Sequence, residues 1–418
     1  MILGKNLAKQ MSGAFNRIMT KLTPIDDAIS TILNSLPAIE EVESTPLMEC
    51  LGRVLAEDFT APLDVPSYTN SAMDGYALRS EDVKLLPASL TISQRIIAGS
   101  VGTRIESGEA ARIFTGAPLP EGADCVAMQE NCRINGHKVE ILKTANAGEN
   151  LRLMGEDIAK GSMMLESGVR LTPQDLGLVA SVGRSTLYTR RRLKVALITT
   201  GNELIEPGKT LLPGQIYNSN YYALAPLLRQ MGCDIVKSGI VDDSFEKTRN
   251  ILEQIAAKAD CVITTGGVSV GEEDHVKAAV EENGCLDLWK LAIKPGKPFA
   301  SGKIKGKQFF GLPGNPVSAF VTFLLLVKPC LLSMLGSKKV CVKGFAVKTN
   351  FSSCSVSERQ EYLRVRFQND ETGEPFIEQC QNQSSGVGSS LAIADGLAVV
   401  PPYTEVSAGD LLEYISFS

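Results

Sequence analysis

Residues 260–277 read DCVITTGGVSVGEEDHVK. The apolar run Cys261-Val262-Ile263 leads into Thr264-Thr265-Gly266-Gly267, and a helical pattern begins after Gly271-Glu272-Glu273-Asp274. Strand, glycine turn and helix in that order offer backbone N–H groups to an anion. Glycine removes the Cβ that would block close approach, and the helix N-terminus carries partial positive charge. Acids at the far end of such a loop would repel a phosphate unless a hard cation such as Mg²⁺ lay between them. The stretch therefore points to a phosphorylated ligand with a metal. The competing reading is a turn that serves only packing, its acids complementing a helix dipole.

Working outward, residues 192–337 alternate strand and helix. Strands are expected at 194–199, 233–241, 260–264, 286–293 and 307–311, with helices near 221–231, 244–258, 274–282 and 316–335. Pro226 should kink the first of these helices or delay its start. Such alternation predicts a doubly wound, mostly parallel sheet, whose ligands bind at the carboxyl ends of the strands. Those ends carry Thr199-Thr200-Gly201-Asn202-Glu203, Asp242-Asp243, the opening glycine loop with Ser269, Lys294-Pro295-Gly296-Lys297-Pro298, and Gly311-Leu312-Pro313-Gly314-Asn315-Pro316. Glycines, acids and lysines on one edge suit a phosphate, a cation and a polar substrate. Each also has a plain structural reading: Asn315-Pro316 and Asp242-Asp243 as helix caps, Lys294 and Lys297 as solvated surface. The spacing Gly266-Gly267-x-x-x-Gly271 is not that of a dinucleotide-binding turn.

The remainder of the chain divides by texture. Residues 1–21 carry Lys5, Lys9, Arg17 and Lys21 without an apolar core and are expected to be a loosely ordered extension. Residues 22–53 and 154–191 form a helical linking region. One helix starts with Thr23 as N-cap and Pro24 at its first position, presenting Ile25, Ala28, Ile29, Ile32, Leu33 and Leu36 on one face. Another is capped by Thr172-Pro173-Gln174-Asp175 and ends at Gly183. Residues 54–153 read as an inserted β-rich domain. Its clearest signal is a hairpin, with Cys132-Arg133-Ile134 and Lys138-Val139-Glu140-Ile141-Leu142 flanking Asn135-Gly136. Its polar loops, with Asp74, Thr115 and, just beyond, Asp157, read as ordinary turns on local chemistry alone. Residues 338–418 are a small C-terminal β domain with strands near 361–367, 396–400 and 410–415.

Composition narrows the class. A chain of 418 residues with 44% hydrophobic and 21% charged residues is an ordinary multidomain globular protein. A net charge of −5 with no basic run argues against nucleic acid. Ten scattered cysteines without a C-x-x-C pair fit a reducing cytoplasm. Two histidines, His137 and His275, exclude a histidine-rich zinc site. Residues 317–327 are strongly apolar but too short to span a bilayer, so they should be a buried helix and no membrane is expected.

Taken together, the motifs resemble the molybdopterin molybdenumtransferase family, which includes MoeA and the E domain of gephyrin and its plant counterpart. The matching segments are SAMDGYAL at 71–78, TGAPLPEGAD at 115–124, GED at 155–157, LTPQDLGLVASVG at 171–183 and TTGNEL at 199–204. Further on come GGVSVGEEDHVK at 266–277, KLAIKPGKPFA at 290–300 and GLPGNPVSA at 311–319. They run in order from about residue 22 to the C-terminus. Asn202 stands where the family more often has aspartate, and residues 1–21 have no counterpart.

The resemblance implies an α/β multidomain protein built on a molybdopterin-binding type of sheet. It implies Mg²⁺-dependent conversion of adenylylated molybdopterin and molybdate into molybdenum cofactor and AMP, the last step of cofactor synthesis. It also implies a homodimer whose clefts are completed by the partner subunit, with transient contacts to a molybdopterin adenylyltransferase and to molybdoenzymes. By motif position, Glu203, Asp243 and Asp274 are metal and phosphate-side acids, and Lys290, Lys294 and Lys297 hold anions. Thr200, Gly201, Gly266, Gly267, Ser269, Gly271, Pro313, Asn315 and Pro316 surround the ligand. Arg364 or Arg366, with Ser384 and Ser385, contact molybdate or pterin. Asp74, Thr115 and Asp157 come from the β-rich side, across the dimer. Two alternatives remain: a MogA-like adenylyltransferase, disfavoured by the large flanking domains, and a gephyrin-like scaffold without turnover.

Overall fold

The computed structural model of the 418-residue chain describes residues 22–242, 244–267, 275–353 and 356–417. Its centre is a six-stranded sheet in the order Asp234–Val241, Lys194–Thr200, Cys261–Thr265, Lys307–Leu312, Pro298–Ile304, Gly284–Lys290. The first four strands are parallel, and the last two join by antiparallel pairing. Side chains alternate across a strand, so a sheet covered on both faces must be apolar at every position. Val195, Leu197, Ile263 and Phe310 accordingly pack on one side with the helices Ser219–Gln230 and Pro316–Thr322. Ala196, Ile198, Val262 and Phe309 pack on the other with Phe245–Ala256 and His275–Asn283. The doubly wound expectation holds.

The apolar helix after residue 316 runs through a π turn, Phe323–Val327, into Lys328–Met334. Pro329 lies just after the turn and has no N–H to donate, so a wider loop at this point accommodates it. The whole stretch Pro316–Met334 is long and apolar enough to cross a membrane, but most of it is buried inside the protein. Pro226 lies within Ser219–Gln230, which begins earlier than its proline suggested because Asn218 caps it, accepting from the Tyr221 N–H.

The β-rich part is a six-stranded sheet ordered Cys125–Met128, Gly75–Leu78, Glu109–Ile113, Ala88–Ile96, Lys138–Ile141, Cys132–Asn135. The expected hairpin is present, but Asn135 pairs with Lys138, so the turn is Gly136-His137, with Gly136 at φ 59°. Thr172 and Asp175 form the reciprocal cap of Pro173–Ser181 as expected. The first helix, Ile25–Leu33, starts one residue later than expected. Thr23 is withdrawn from capping because its backbone bonds to Lys290 and Ala292.

The C-terminal strands close into a ring. Gln360–Asn369 pairs with Pro375–Gln379, which leads through Phe345–Thr349 and Leu411–Ser416 to Gly396–Val400 and back to Gln360–Asn369. Closure leaves no long free edge. One extra piece is added from the α/β part: Ile293–Lys294 runs parallel beside Gln360 and Glu361. The sequence placed residues 286–293 in one strand. The structure instead bends the chain at Leu291 and Ala292 and gives Ile293–Lys294 to the C-terminal sheet.

Candidate functional site

Three loops after parallel strands meet in a cleft of about 710 Å³. Thr200, Gly201 and Glu203 follow the first strand, Thr265, Gly266 and Gly267 the third, and Pro313 to Pro316 the fourth. The loops approach closely for a steric reason. A Cβ on Gly266 would lie 2.8 Å from the Thr200 carbonyl, and one on Gly267 would lie 2.4 Å from Val276 Cγ2. A Cβ on Gly201 would come within 2.5 Å of a Glu203 carboxylate oxygen, so only glycine lets that acid fold over its own turn. Glu203 is the only carboxylate among the described residues lining the cleft.

The wall opposite was not anticipated. Asn218, Ser219 and Asn220, at the start of Ser219–Gln230, line the same space. Asn218 is buried and donates to Thr199 Oγ1 at 2.9 Å, while Asn220 Nδ2 donates to the Gly314 carbonyl at 2.7 Å. The polar run Asn218-Ser219-Asn220 ahead of an apolar helix was a readable N-cap signal. Two helix N-termini thus face the cleft, that of Ser219–Gln230 and that of the helix starting at Pro316, beside the glycine turn, whose Gly266 N–H is spent on the Leu312 carbonyl at 3.0 Å. This is an arrangement for anionic oxygen.

Other expected residues fall elsewhere. Asp243, Ser269, Gly271 and Asp274 lie outside the described residues. Ser385 accepts from Asn315 Nδ2 at 3.2 Å, and its carbonyl accepts from the Val317 N–H, bringing the C-terminal loop to the cleft rim through Gly386. Arg364, read as a ligand contact, is instead 1% exposed. Its guanidinium donates to the Asn382 and Ser384 carbonyls and to Ser390 Oγ, holding that loop from behind. Burial lowers its pKa. Arg366 is exposed, donates to the Ile393 carbonyl and lines a separate hollow.

None of the lysines lines the main cleft. Lys294 pairs with the largely buried Glu361 at 3.0 Å. Lys290 and Lys297 line a second cleft of about 640 Å³, with Asp26, Glu358 and Tyr403. The separation follows from the strand: Pro298, next to Lys297, lines the first cleft. Asp74 and Thr115 do meet, in the β-rich part. The Asp74 carboxylate accepts from both the N–H and the Oγ1 of Thr115 at 2.9 Å. The Thr115 N–H, then its hydroxyl, hold that carboxyl below its ordinary range. Asp157 is exposed, and neither it nor the Asp74–Thr115 pair lines the cleft. Among the described residues no three His, Cys, Asp or Glu side chains cluster as a metal site.

A doubly wound sheet with a glycine-lined cleft at its strand ends, flanked by two β structures, defines a multidomain α/β protein with an anion-binding cleft. The region described as "MoeA N-terminal region (domain I and II)" matches residues 23–183, "Probable molybdopterin binding domain" matches 196–333, and "MoeA C-terminal region (domain IV)" matches 347–417. A molybdopterin molybdenumtransferase of Haemophilus influenzae is 42% identical over 317 residues, 75% of this chain and 78% of that protein. One from a Nostoc species is 33% identical over 395 residues, 91% of each. The crystal structure of a molybdopterin biosynthesis moeA protein from Pyrococcus horikoshii OT3 superposes with a TM-score of 0.81 at 30% identity, covering 95% of this chain and all of that one. The chain belongs to the molybdopterin molybdenumtransferase family.

Proposed function

We propose that this protein is a transferase that inserts molybdenum into molybdopterin, the closing step of molybdenum cofactor synthesis, using adenylylated molybdopterin and molybdate and releasing AMP. The observation that carries this reading is the cleft where Thr200, Gly201, Glu203, Gly266, Gly267 and Asn315 converge. Its N–H groups and helix N-termini fit the phosphates of a nucleotide-linked pterin, and Asn218 and Asn220 brace the loops that present them. The cleft excludes a second layer of bulk because its turns are glycine, which lets phosphate oxygens approach the backbone.

Glu203 fits a Mg²⁺ ion held jointly with phosphate oxygens, since Mg²⁺ is commonly bound by one or two carboxylates plus substrate. When bound, such an ion supplies charge neutralisation at the scissile phosphoryl group. Asp243 and Asp274 are proposed to join Glu203 by their place in the motifs. Lys290, Lys294 and Lys297 are proposed to hold anionic parts of the substrates, Lys294 by exchanging Glu361 for ligand. The Asp74–Thr115 pair and Asp157 are proposed to reach the cleft of a second copy in a homodimer. We place the reaction in the cytoplasm, in keeping with nine unpaired cysteines among the described residues.

The test is incubation of the purified chain with adenylylated molybdopterin, Mg²⁺ and molybdate, following AMP release together with transfer of active cofactor to an apo-molybdoenzyme. AMP release that ignores molybdate, or no release at all, would overturn the reading.

A further inference from the structure

The second cleft has a composition that the first lacks. Lys290 and Lys297 supply positive charge, and Asp26 and Glu358 supply negative charge from other segments. None of the four forms an ion pair with another described residue at the distances found elsewhere in the chain. At the rim stands Tyr403, 73% exposed. Its backbone is left-handed, with φ 58°, and its N–H donates to the Ser357 carbonyl at 2.7 Å. A bulky residue rarely adopts this conformation, and such strain concentrates where a side chain is held for a ligand.

Free carboxylates and free lysines in one cleft suit a ligand that carries donors at one end and an anion at the other. A 2-amino-4-oxopyrimidine edge presents two adjacent N–H donors, matching the two oxygens of one carboxylate. Adenine presents one donor beside an acceptor nitrogen and does not match. An exposed aromatic ring adds a face on which a flat heterocycle can stack. We propose that this second cleft seats the pterin ring of the substrate, with Tyr403 as its stacking platform, Asp26 or Glu358 reading its amino-oxo edge, and Lys290 and Lys297 receiving its anionic arm. This rests on the molybdopterin reading above and names the residues that distinguish the pterin end from the nucleotide end.

The experiment titrates the full chain with pterin-6-carboxylate, following quenching of its fluorescence, and with AMP and lumazine-6-carboxylate as competitors. Lumazine carries oxygen in place of the 2-amino group. Wild type should prefer the pterin to the lumazine, and the double variant Asp26→Asn, Glu358→Gln should lose that preference. Tyr403→Asn, which tolerates a left-handed backbone but removes the ring, should weaken pterin binding about fivefold or more and leave AMP binding unchanged. Tyr403→Phe should bind as wild type. Unchanged pterin binding in Tyr403→Asn, or equal affinity for lumazine in wild type, overturns the proposal while leaving the molybdopterin reading intact. A wild type that binds no pterin also overturns it, and the AMP-release assay then shows separately whether the wider reading survives.

Discussion

Arg364 and Arg366 are two residues apart on one strand and have opposite fates. A strand's period of two should send both to the same face, yet Arg364 lies under the 382–384 loop, whereas Arg366, beyond that cover, is exposed and donates to the Ile393 carbonyl. Sequence alone offered both as ligand contacts because it does not show which loop folds over which side chain. Arg364→Ala removes all three bonds, although the Ser384 carbonyl keeps the Val387 N–H and Ser390 Oγ keeps its bond to the Val387 carbonyl. We expect that variant to lose about 1.5–3 kcal/mol of stability, the usual worth of hydrogen bonds from a charged group. Arg364→Lys should rescue little, because one ammonium cannot reproduce a planar fork. Urea unfolding monitored in the C-terminal part measures this, and a variant as stable as wild type would return Arg364 to the ligand. Glu203 was legible by contrast, since its motif places it two residues after Gly201, the glycine that makes room for it.

At the scale of elements, the parallel strands and their helices were readable because both faces of the sheet are covered, which writes continuous apolar runs into the sequence. Pro298–Ile304 was not readable. It opens on proline and carries Ser301-Gly302-Lys303, a composition that reads as loop, and it is a strand only because Gly284–Lys290 and Lys307–Leu312 flank it. The strands Phe345–Thr349 and Pro375–Gln379 were missed for the same reason: ring closure, not local propensity, makes them strands. The glycine turn gives a prediction at this scale. Gly267→Ala places a methyl 2.4 Å from Val276 Cγ2 on a backbone at φ 66°, and should destabilise the α/β part by about 1–3 kcal/mol. Val276→Ala in the same chain should recover the overlap but not the backbone strain. A thermal double-mutant cycle should therefore show positive coupling, and simple additivity would mean that the turn and helix do not press on each other.

Across the whole molecule, charge ties the parts together. Arg191 bridges Asp260, at 2.7 Å and 3.0 Å, and Glu41 at 3.2 Å, linking the antiparallel pair Val42–Pro46 and Thr186–Arg190 to the strand Cys261–Thr265 that opens the glycine loop. Burial pushes the Asp260 carboxyl up, but the Arg191 bonds and the Lys194 N–H outweigh it and hold it below its usual value. A depressed carboxyl contributes stability above its unfolded pKa, roughly 3.9, and loses it as pH falls through the folded value. Asp260→Asn should accordingly be less stable than wild type at pH 7, with the gap closing as pH falls below the unfolded value and through the depressed folded one. A gap that persists in acid would show that packing, not charge, is responsible. Assembly is the other prediction at this scale. If Asp74 serves its partner's cleft, a mixed dimer of Asp74→Ala and Glu203→Gln chains keeps one intact cleft and should regain about half of the wild-type rate per dimer. No recovery after proven subunit exchange would confine each site to one chain.

The loan of Ile293–Lys294 to the C-terminal ring carries a consequence for proteolysis. The covalent link between the α/β part and the ring passes through exposed Lys339 and Lys343, where trypsin can cut. The severed ring would still be gripped by the strand pairing at Gln360 and Glu361 and by the bonds from Asn315 and Val317 to Ser385. A single nick should therefore yield two bands on a denaturing gel but one peak on a sizing column, with the fragments parting only in denaturant. Fragments that separate in plain buffer would show that the peptide linker, and not the borrowed strand, keeps the molecule whole.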